Sequence, residues 1–303
     1  MSELVFESLF IQTNNTDKLH LKRIYSNPTG NPVFMVHGSI ENGKIFYTEK
    51  GKGFACYLAN KGYDVFVADL RGRGQCEPQI SKNSDYGLTE ILWEDFPKYI
   101  SKIKELKGDT PQIWVSHSWG GCLFLAYLAR RFKDTHVKAM VFFATKRRIN
   151  IFGLKKFYMV DLIWNLLAKL IIAIKGYLPA KKIGLGSDDE TKKTHYETNI
   201  WVYSKKWLDW NDNFNYAEAL KEVDLPPILT ITGANDKILG NPIDVEILMK
   251  ECGAKDYTFN IISKANGFKN DYDHIDIMTH KDAPEDHFEY VNNWLNKVYT
   301  ESV

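Results

Sequence analysis

The stretch Ser116-His117-Ser118-Trp119-Gly120-Gly121 constrains this chain more than any other. An apolar run, Pro111-Gln112-Ile113-Trp114-Val115, leads into it, and a helix-forming run over residues 122–131 leads out. A strand that passes directly into a helix through small residues turns on a tight elbow. The central side chain is thrown clear of its own backbone, beside the helix N-terminus. Ser118 occupies that place. A serine hydroxyl so displayed serves as a nucleophile when a base takes its proton and a third group orients the base.

The pattern around the elbow predicts the fold. Apolar runs at 33–36, 65–68, 137–143, 228–231 and 257–262 alternate with helical patterns at 51–61, 88–106, 122–131, 242–251 and 284–298. Such alternation predicts an α/β fold, a mostly parallel central sheet with helices on both faces. Residues 3–13 and 18–25, on either side of Asn14-Asn15-Thr16-Asp17, read as a leading hairpin. The alternation breaks after Thr145. Residues 146–220 carry no strand pattern and many aromatics, and Pro226-Pro227 restarts the sheet. The expectation is a core of residues 1–145 and 221–303 with an inserted helical cap of residues 146–220. A chain of 303 residues suffices for one such unit.

Partners for Ser118 should lie just beyond the C-terminal ends of later strands. The run at 228–231 is followed by Thr232-Gly233-Ala234-Asn235-Asp236, and the run at 257–262 by Asp271-Tyr272-Asp273-His274. Asp236 is the expected acid and His274 the expected base. Asp244 falls inside a helix and reads as a solvated charge. Asp273 and Asp276 flank His274 too closely to reach its ring and read as loop hydrogen-bonders. Of eight histidines, His37 and His117 sit among motif glycines and serines and read as structural hydrogen-bonders. The tetrahedral intermediate needs donors for its oxyanion, and the backbone N–H groups of Trp119 and Ser39 are the candidates.

Other chemistries find little support. The formal charge of +1 gives no reason to expect a nucleic-acid partner. Cys56, Cys76, Cys122 and Cys252 are far apart and read as reduced thiols, and no cluster has metal-ligand spacing. Arg71-Gly72-Arg73-Gly74-Gln75-Cys76 lacks the last glycine of a dinucleotide fingerprint, and no Walker pattern occurs. Neither cofactor nor metal is expected. The N-terminus has no basic segment followed by an apolar core, so a cytoplasmic location is expected.

Taken in order, His37-Gly38-Ser39, Asp69-Leu70-Arg71-Gly72-Arg73-Gly74, the Ser118 elbow, Gly233-Ala234-Asn235-Asp236 and Asp271-Tyr272-Asp273-His274-Ile275-Asp276 resemble the α/β-hydrolase superfamily over nearly the whole chain. Their spread looks most like the branch holding acid lipases and polyhydroxyalkanoate synthases. Those synthases use a cysteine nucleophile, and dehalogenases and epoxide hydrolases of this fold an aspartate; Ser118 argues against all three. Ser116 stands where many members have glycine. The resemblance implies a serine esterase or lipase acting through an acyl-enzyme on Ser118, with a small-molecule acyl ester or thioester as substrate.

The cap adds a hint about the acyl group. Residues 157–178 are rich in Leu, Ile, Phe and Trp, with Asp161, Asn165 and Lys169 forming one polar stripe. This reads either as a cap helix packed on the core or as a lid that lines an acyl pocket or touches a lipid interface. The charges within it argue against a membrane span. Lys146, Arg147 and Arg148 read as a solvated cap entrance or an anion site. An acyl-CoA thioesterase or acyltransferase with the same triad is the alternative, and a non-catalytic ligand-binding protein of this fold the third reading. The oligomeric state is left open.

Overall fold

The computed structural model describes residues 3–14 and 16–300. Among the described residues the strands are β1 (Val5–Gln12), β2 (Lys18–Tyr25), β3 (Pro32–Val36), β4 (Asp64–Asp69), β5 (Gln112–His117), β6 (Val137–Phe143), β7 (Tyr177–Leu178), β8 (Glu190–Thr191), β9 (Ile228–Gly233) and β10 (Tyr257–Ile262). Eight of them form one sheet in the order β1-β2-β4-β3-β5-β6-β9-β10. The β1–β2 and β2–β4 pairings are antiparallel. All pairings from β4 through β3, β5, β6 and β9 to β10 are parallel. The leading hairpin is present, with Val5 opposite Tyr25; Asn15 of its turn lies outside the described residues.

Strand alternation sorts the core onto two faces, because successive side chains of a strand point to opposite sides. Phe34, Val36, Trp114, Met140 and Phe142 pack on one face with Phe96, Tyr99, Phe124, Leu220 and Leu248 from its helices. Val33, Met35, Val115, Val141 and Phe143 pack on the other with Phe54, Leu58, Phe288 and Leu295. Both faces are thus covered, as a parallel sheet requires, and each fully buried large apolar side chain contributes about 1.5–3 kcal/mol.

Several boundaries differ from expectation for local reasons. The first helix is Phe54–Asn60 rather than 51–61, since Gly51 and Gly53 hold φ of 77° and 101° and end the loop before it. Residues 88–107 are helical throughout, but Ile91–Asp95 widens into a π-helical turn directly before Phe96-Pro97. Pro97 has no N–H to donate, and the wide turn absorbs the missing bond. The closing helix runs His287–Thr300, and Pro284 belongs to a separate 3₁₀ turn, Ala283–Glu285.

Between β6 and β9 the chain leaves the sheet. It forms a helix over Leu154–Lys175, a two-stranded antiparallel ribbon of β7 and β8, and helices Lys192–Tyr203 and Tyr216–Lys221. The ribbon was not legible because two residues per strand leave no alternation to read. Trp201, Trp207, Tyr216 and Leu220 join the same buried cluster as the helix that follows Ser118. The later part of this excursion is therefore anchored in the core. Arg147 corrects the solvated-entrance reading and the anion-site reading alike. It is fully buried, pairs with Glu251 and donates to the carbonyls of Trp201, Ser204 and Lys205. Lys146 is buried as well.

The 154–175 helix is not packed on the core as a whole. Val160, Ala168 and Ile172 face inward, and Ala168 and Ile172 cluster with Leu178, Ala180, Trp164 and Ile40. The stripe Asp161–Asn165 faces sideways to Tyr203, and Asp161 also binds Lys156 Nζ at 2.8 Å. Leu154, Tyr158, Leu166, Leu170 and Ile174 stand exposed on the opposite side, Leu154 and Ile174 at 89% and 81%. By length and composition this helix could cross a membrane.

Candidate active site

Ser118 caps the helix Trp119–Arg131 with φ 52° and ψ −121°, a positive-φ backbone of the sparsely populated kind that costs a non-glycine residue on the order of 1–3 kcal/mol. The close passage of neighbouring chain holds it there. A Cβ on Gly120 would lie 2.4 Å from the Val36 carbonyl oxygen, and one on Gly121 would lie 2.8 Å from Ser116 Oγ. Ser118 N–H donates to the Phe143 carbonyl at 2.8 Å, which pins the elbow to the end of β6. The strained position and the two glycines are one device.

Asp236 follows β9 and His274 follows β10, and the two loops are laced together. Asn235 N–H donates to the Tyr272 carbonyl at 2.8 Å, and Asn235 Nδ2 to the Asp271 carbonyl at 2.7 Å. Gly233 permits the crossing, because a Cβ there would sit 2.1 Å from the Tyr272 oxygen. The result is a continuous chain: His274 Nδ1 lies 2.5 Å from Asp236 Oδ2, and His274 Nε2 lies 3.0 Å from Ser118 Oγ. With the Nδ1 proton facing the carboxylate, Nε2 is left to accept from the serine. Burial would push the Asp236 carboxyl up, but the hydrogen bond and charge of His274, the Gly240 N–H and Lys146 bring it below the usual carboxylate range. Gly240 is close by necessity; a Cβ there would lie 2.3 Å from Asp236 Oδ2.

The candidate oxyanion donors come to the same corner. Trp119 is the first residue of its helix, so its N–H is not used by an intrahelical bond. Gly38, immediately before Ser39, approaches so near that a Cβ on it would be 2.9 Å from Ser118 Cβ. The Asp69-Leu70-Arg71-Gly72-Arg73-Gly74 loop has a supporting part. Asp69 accepts from Gly43 N–H at 2.7 Å, Gln75 N–H at 2.9 Å and His20 at 2.7 Å, and so fixes the chain next to the Ser39 loop.

The remaining candidates sort clearly. His37 Nδ1 donates to the Gly38 carbonyl at 2.9 Å while Nε2 accepts from Leu70 N–H at 3.0 Å; burial and Arg73 hold its pKa down at about 4, so it is a neutral brace. His117 also braces the site, by a different arrangement described below. Asp273 accepts from Ile275 and Asp276 N–H at 2.9 and 2.8 Å, turning the loop beyond His274. Asp244 corrects the reading of a solvated charge: it is 1% exposed and accepts from Asn150 N–H and Nδ2. Two contributors escaped the sequence reading, Glu41 and Gly240. Both lie off the strand-end motifs, and their only signal was nearness in sequence to Ser39 and Asp236. The four cysteines are free and buried.

Comparison with known proteins agrees with this architecture. Residues 31–170 match the family model described as the alpha/beta hydrolase fold. A probable lysophospholipase L2 of Haemophilus influenzae is 24% identical over 174 residues, 57% of this chain and 51% of that protein. The matched stretch thus spans about half the length of this curated relative. A thermophilic esterase from Thermogutta terrifontis superposes with a TM-score of 0.58 at 17% identity, covering 96% of this chain and 99% of the other. A membrane phospholipase A described as a bacterial virulence factor superposes with a TM-score of 0.64 at 14% identity, covering 97% and 87%. The chain thus has the alpha/beta hydrolase fold, and its residues 31–170 match the family model of that name.

Proposed function

We propose that the protein is a serine hydrolase of carboxylic esters bearing a medium or long hydrophobic acyl chain. The observation that carries this reading is the unbroken hydrogen-bonded chain Ser118–His274–Asp236 on an elbow of positive φ. Ser118 Oγ attacks the carbonyl carbon as His274 Nε2 takes its proton. The Trp119 and Ser39 N–H groups hold the oxyanion, and the leaving alcohol receives the proton from His274. Water then repeats the sequence on the acyl-enzyme. Residues 146–220 act as the cap. The thioesterase or acyltransferase alternative has lost one support, since the buried Arg147 is unavailable to phosphates. A panel of p-nitrophenyl esters from acetate to palmitate, run beside acyl-CoA thioesters, tests the reading. We expect kcat/KM to rise by about tenfold for each two methylenes at first, as about 0.8 kcal/mol per buried methylene implies. Cleavage of acetate alone, or faster turnover of the thioesters, would sink it.

The partner of the exposed helix face is proposed to be an anionic lipid surface. Leu154, Tyr158, Leu166, Leu170 and Ile174 recur at a helical spacing on its outer side, and Phe152 before it is 99% exposed. Residues 151–183 hold six lysines and a single acid, Asp161, which is already tied to Lys156. Like charges oppose a second copy of the chain on this face, whereas anionic headgroups complement it; each lysine near such a surface adds about 1 kcal/mol. The inner side touches Ile40, next to Ser39, so docking would set the site mouth at the lipid. Vesicle co-sedimentation should show binding to phosphatidylcholine vesicles containing phosphatidylserine, weakened by salt. Leu166→Glu with Leu170→Glu should lower it by about 100-fold. Concentration-dependent dimers without vesicle binding would refute this partner.

A further inference from the structure

A second carboxylate–imidazole pair lies behind the first. One oxygen of Glu41, Oε2, accepts both the Gly38 N–H and His117 Nδ1–H, each at 2.9 Å. The other ring nitrogen of His117 lies 2.9 Å from the backbone carbonyl oxygen of His274. A carbonyl oxygen can only accept, so His117 Nε2 carries a proton. A carboxylate can likewise only accept, so Nδ1 carries one too. The imidazole and the carboxylate are both buried, and a buried charge is tolerated when paired and hydrogen-bonded.

We propose that Glu41 and His117 form a buried carboxylate–imidazolium pair that positions the site by clamping three loops together. Glu41 holds Gly38, the neighbour of Ser39; His117 is the neighbour of Ser118; and its far nitrogen holds the backbone of His274. The oxyanion loop, the elbow and the base loop are thus joined through one ion pair. His37, a few residues from Glu41, is the contrast: it donates on one side and accepts on the other, as a neutral ring must. Electrostatics agree with the geometry. Burial would raise the Glu41 carboxyl, but the charge and hydrogen bond of His117, with His274 and the Gly38 N–H, bring it down to about 2. Burial would lower His117, but Glu41, the His274 carbonyl and Asp236 outweigh it and leave it raised. The two histidine rings lie 4.8 Å apart, centroid to centroid. The carboxylate therefore balances a cation beside a base that must itself become cationic during turnover.

The kinetic consequence rests on the reading of Ser118 as nucleophile; the charge state does not. In 15N-labelled protein at pH 7.5, both ring nitrogens of His117, assigned by their loss in His117→Gln, should resonate as an imidazolium. In Glu41→Gln one of them should move to the unprotonated range. Turnover of p-nitrophenyl butyrate by Glu41→Gln should fall by about 10²-fold in kcat with KM within about twofold, the size expected for a small misplacement of reacting groups. A single-proton tautomer of His117 in the wild type, or wild-type kcat in a folded Glu41→Gln, overturns the proposal. If the wild type neither turns over ester nor takes up a fluorophosphonate, the hydrolase reading fails by itself. The nitrogen shifts, with the Gly38 amide shift between wild type and Glu41→Gln, then decide the clamp.

Discussion

Ser118→Ala should abolish covalent labelling by a fluorophosphonate probe and lower kcat for p-nitrophenyl esters by about 10⁶-fold, leaving only the residual rate that oxyanion donors and binding supply. The expectation follows from how singular the position is. Ser118 Oγ is the hydroxyl within reach of His274 Nε2, at 3.0 Å. Ser116, two residues earlier, is buried and faces Thr145 Oγ1 at 3.5 Å, so it cannot substitute. The variant should fold as the wild type does, since alanine and serine pay the same backbone cost at φ 52°. Thermal unfolding of both proteins checks this. Labelling that survives in the folded variant would place the nucleophile elsewhere and overturn the mechanism.

Asp236→Asn should reduce kcat by about 10⁴-fold while labelling by the probe becomes slow rather than absent. The carboxylate accepts from His274 Nδ1, which keeps the proton on that side and leaves Nε2 free to take the serine proton. An asparagine amide turned toward Nδ1 donates instead, and the ring then carries its proton on Nε2, where it donates to Ser118 Oγ and leaves no lone pair to take the serine proton. The folded carboxylate sits below its ordinary range. Its contribution to stability is therefore present above the unfolded pKa and lost as pH falls through the folded one. Acid unfolding of Asp236→Asn should lack that component. A loss of less than about tenfold in kcat would mean that another group orients His274, against the magnitude seen when an orienting acid is removed. Asp244 is a poor substitute, being committed to Asn150.

Much of the scaffold was legible because local physics and global fold agree there. The strands at 137–143 and 257–262 and the helix at 242–251 lie where apolar runs and Pro242 predict them. Covered parallel strands are apolar throughout, and such runs are easy to find. The 154–175 helix was legible as a helix but not in its orientation. Its composition is that of a buried element, and only the packing of Ala168 and Ile172 against Ile40, with Tyr203 beside Asp161, reveals which side is left over. Arg147 was misread for the converse reason. A run of three basic residues looks solvated until the carbonyls of Trp201, Ser204 and Lys205 and the Glu251 carboxylate are brought around it.

By itself the sequence determined the elbow, the alternation that makes a parallel sheet, and the strand ends on which Ser118, Asp236 and His274 stand. These depend on neighbours in the chain and on the rule that functional loops follow strand C-termini. Tertiary structure alone decided that those three side chains meet at 2.5 and 3.0 Å. It also decided that the Glu41 carboxylate and the His117 ring pair behind them and that a lysine-edged apolar stripe faces outward. Hydrogen bonds between residues 38 to 157 positions apart are set by sheet order and loop crossings. No local pattern encodes those distances.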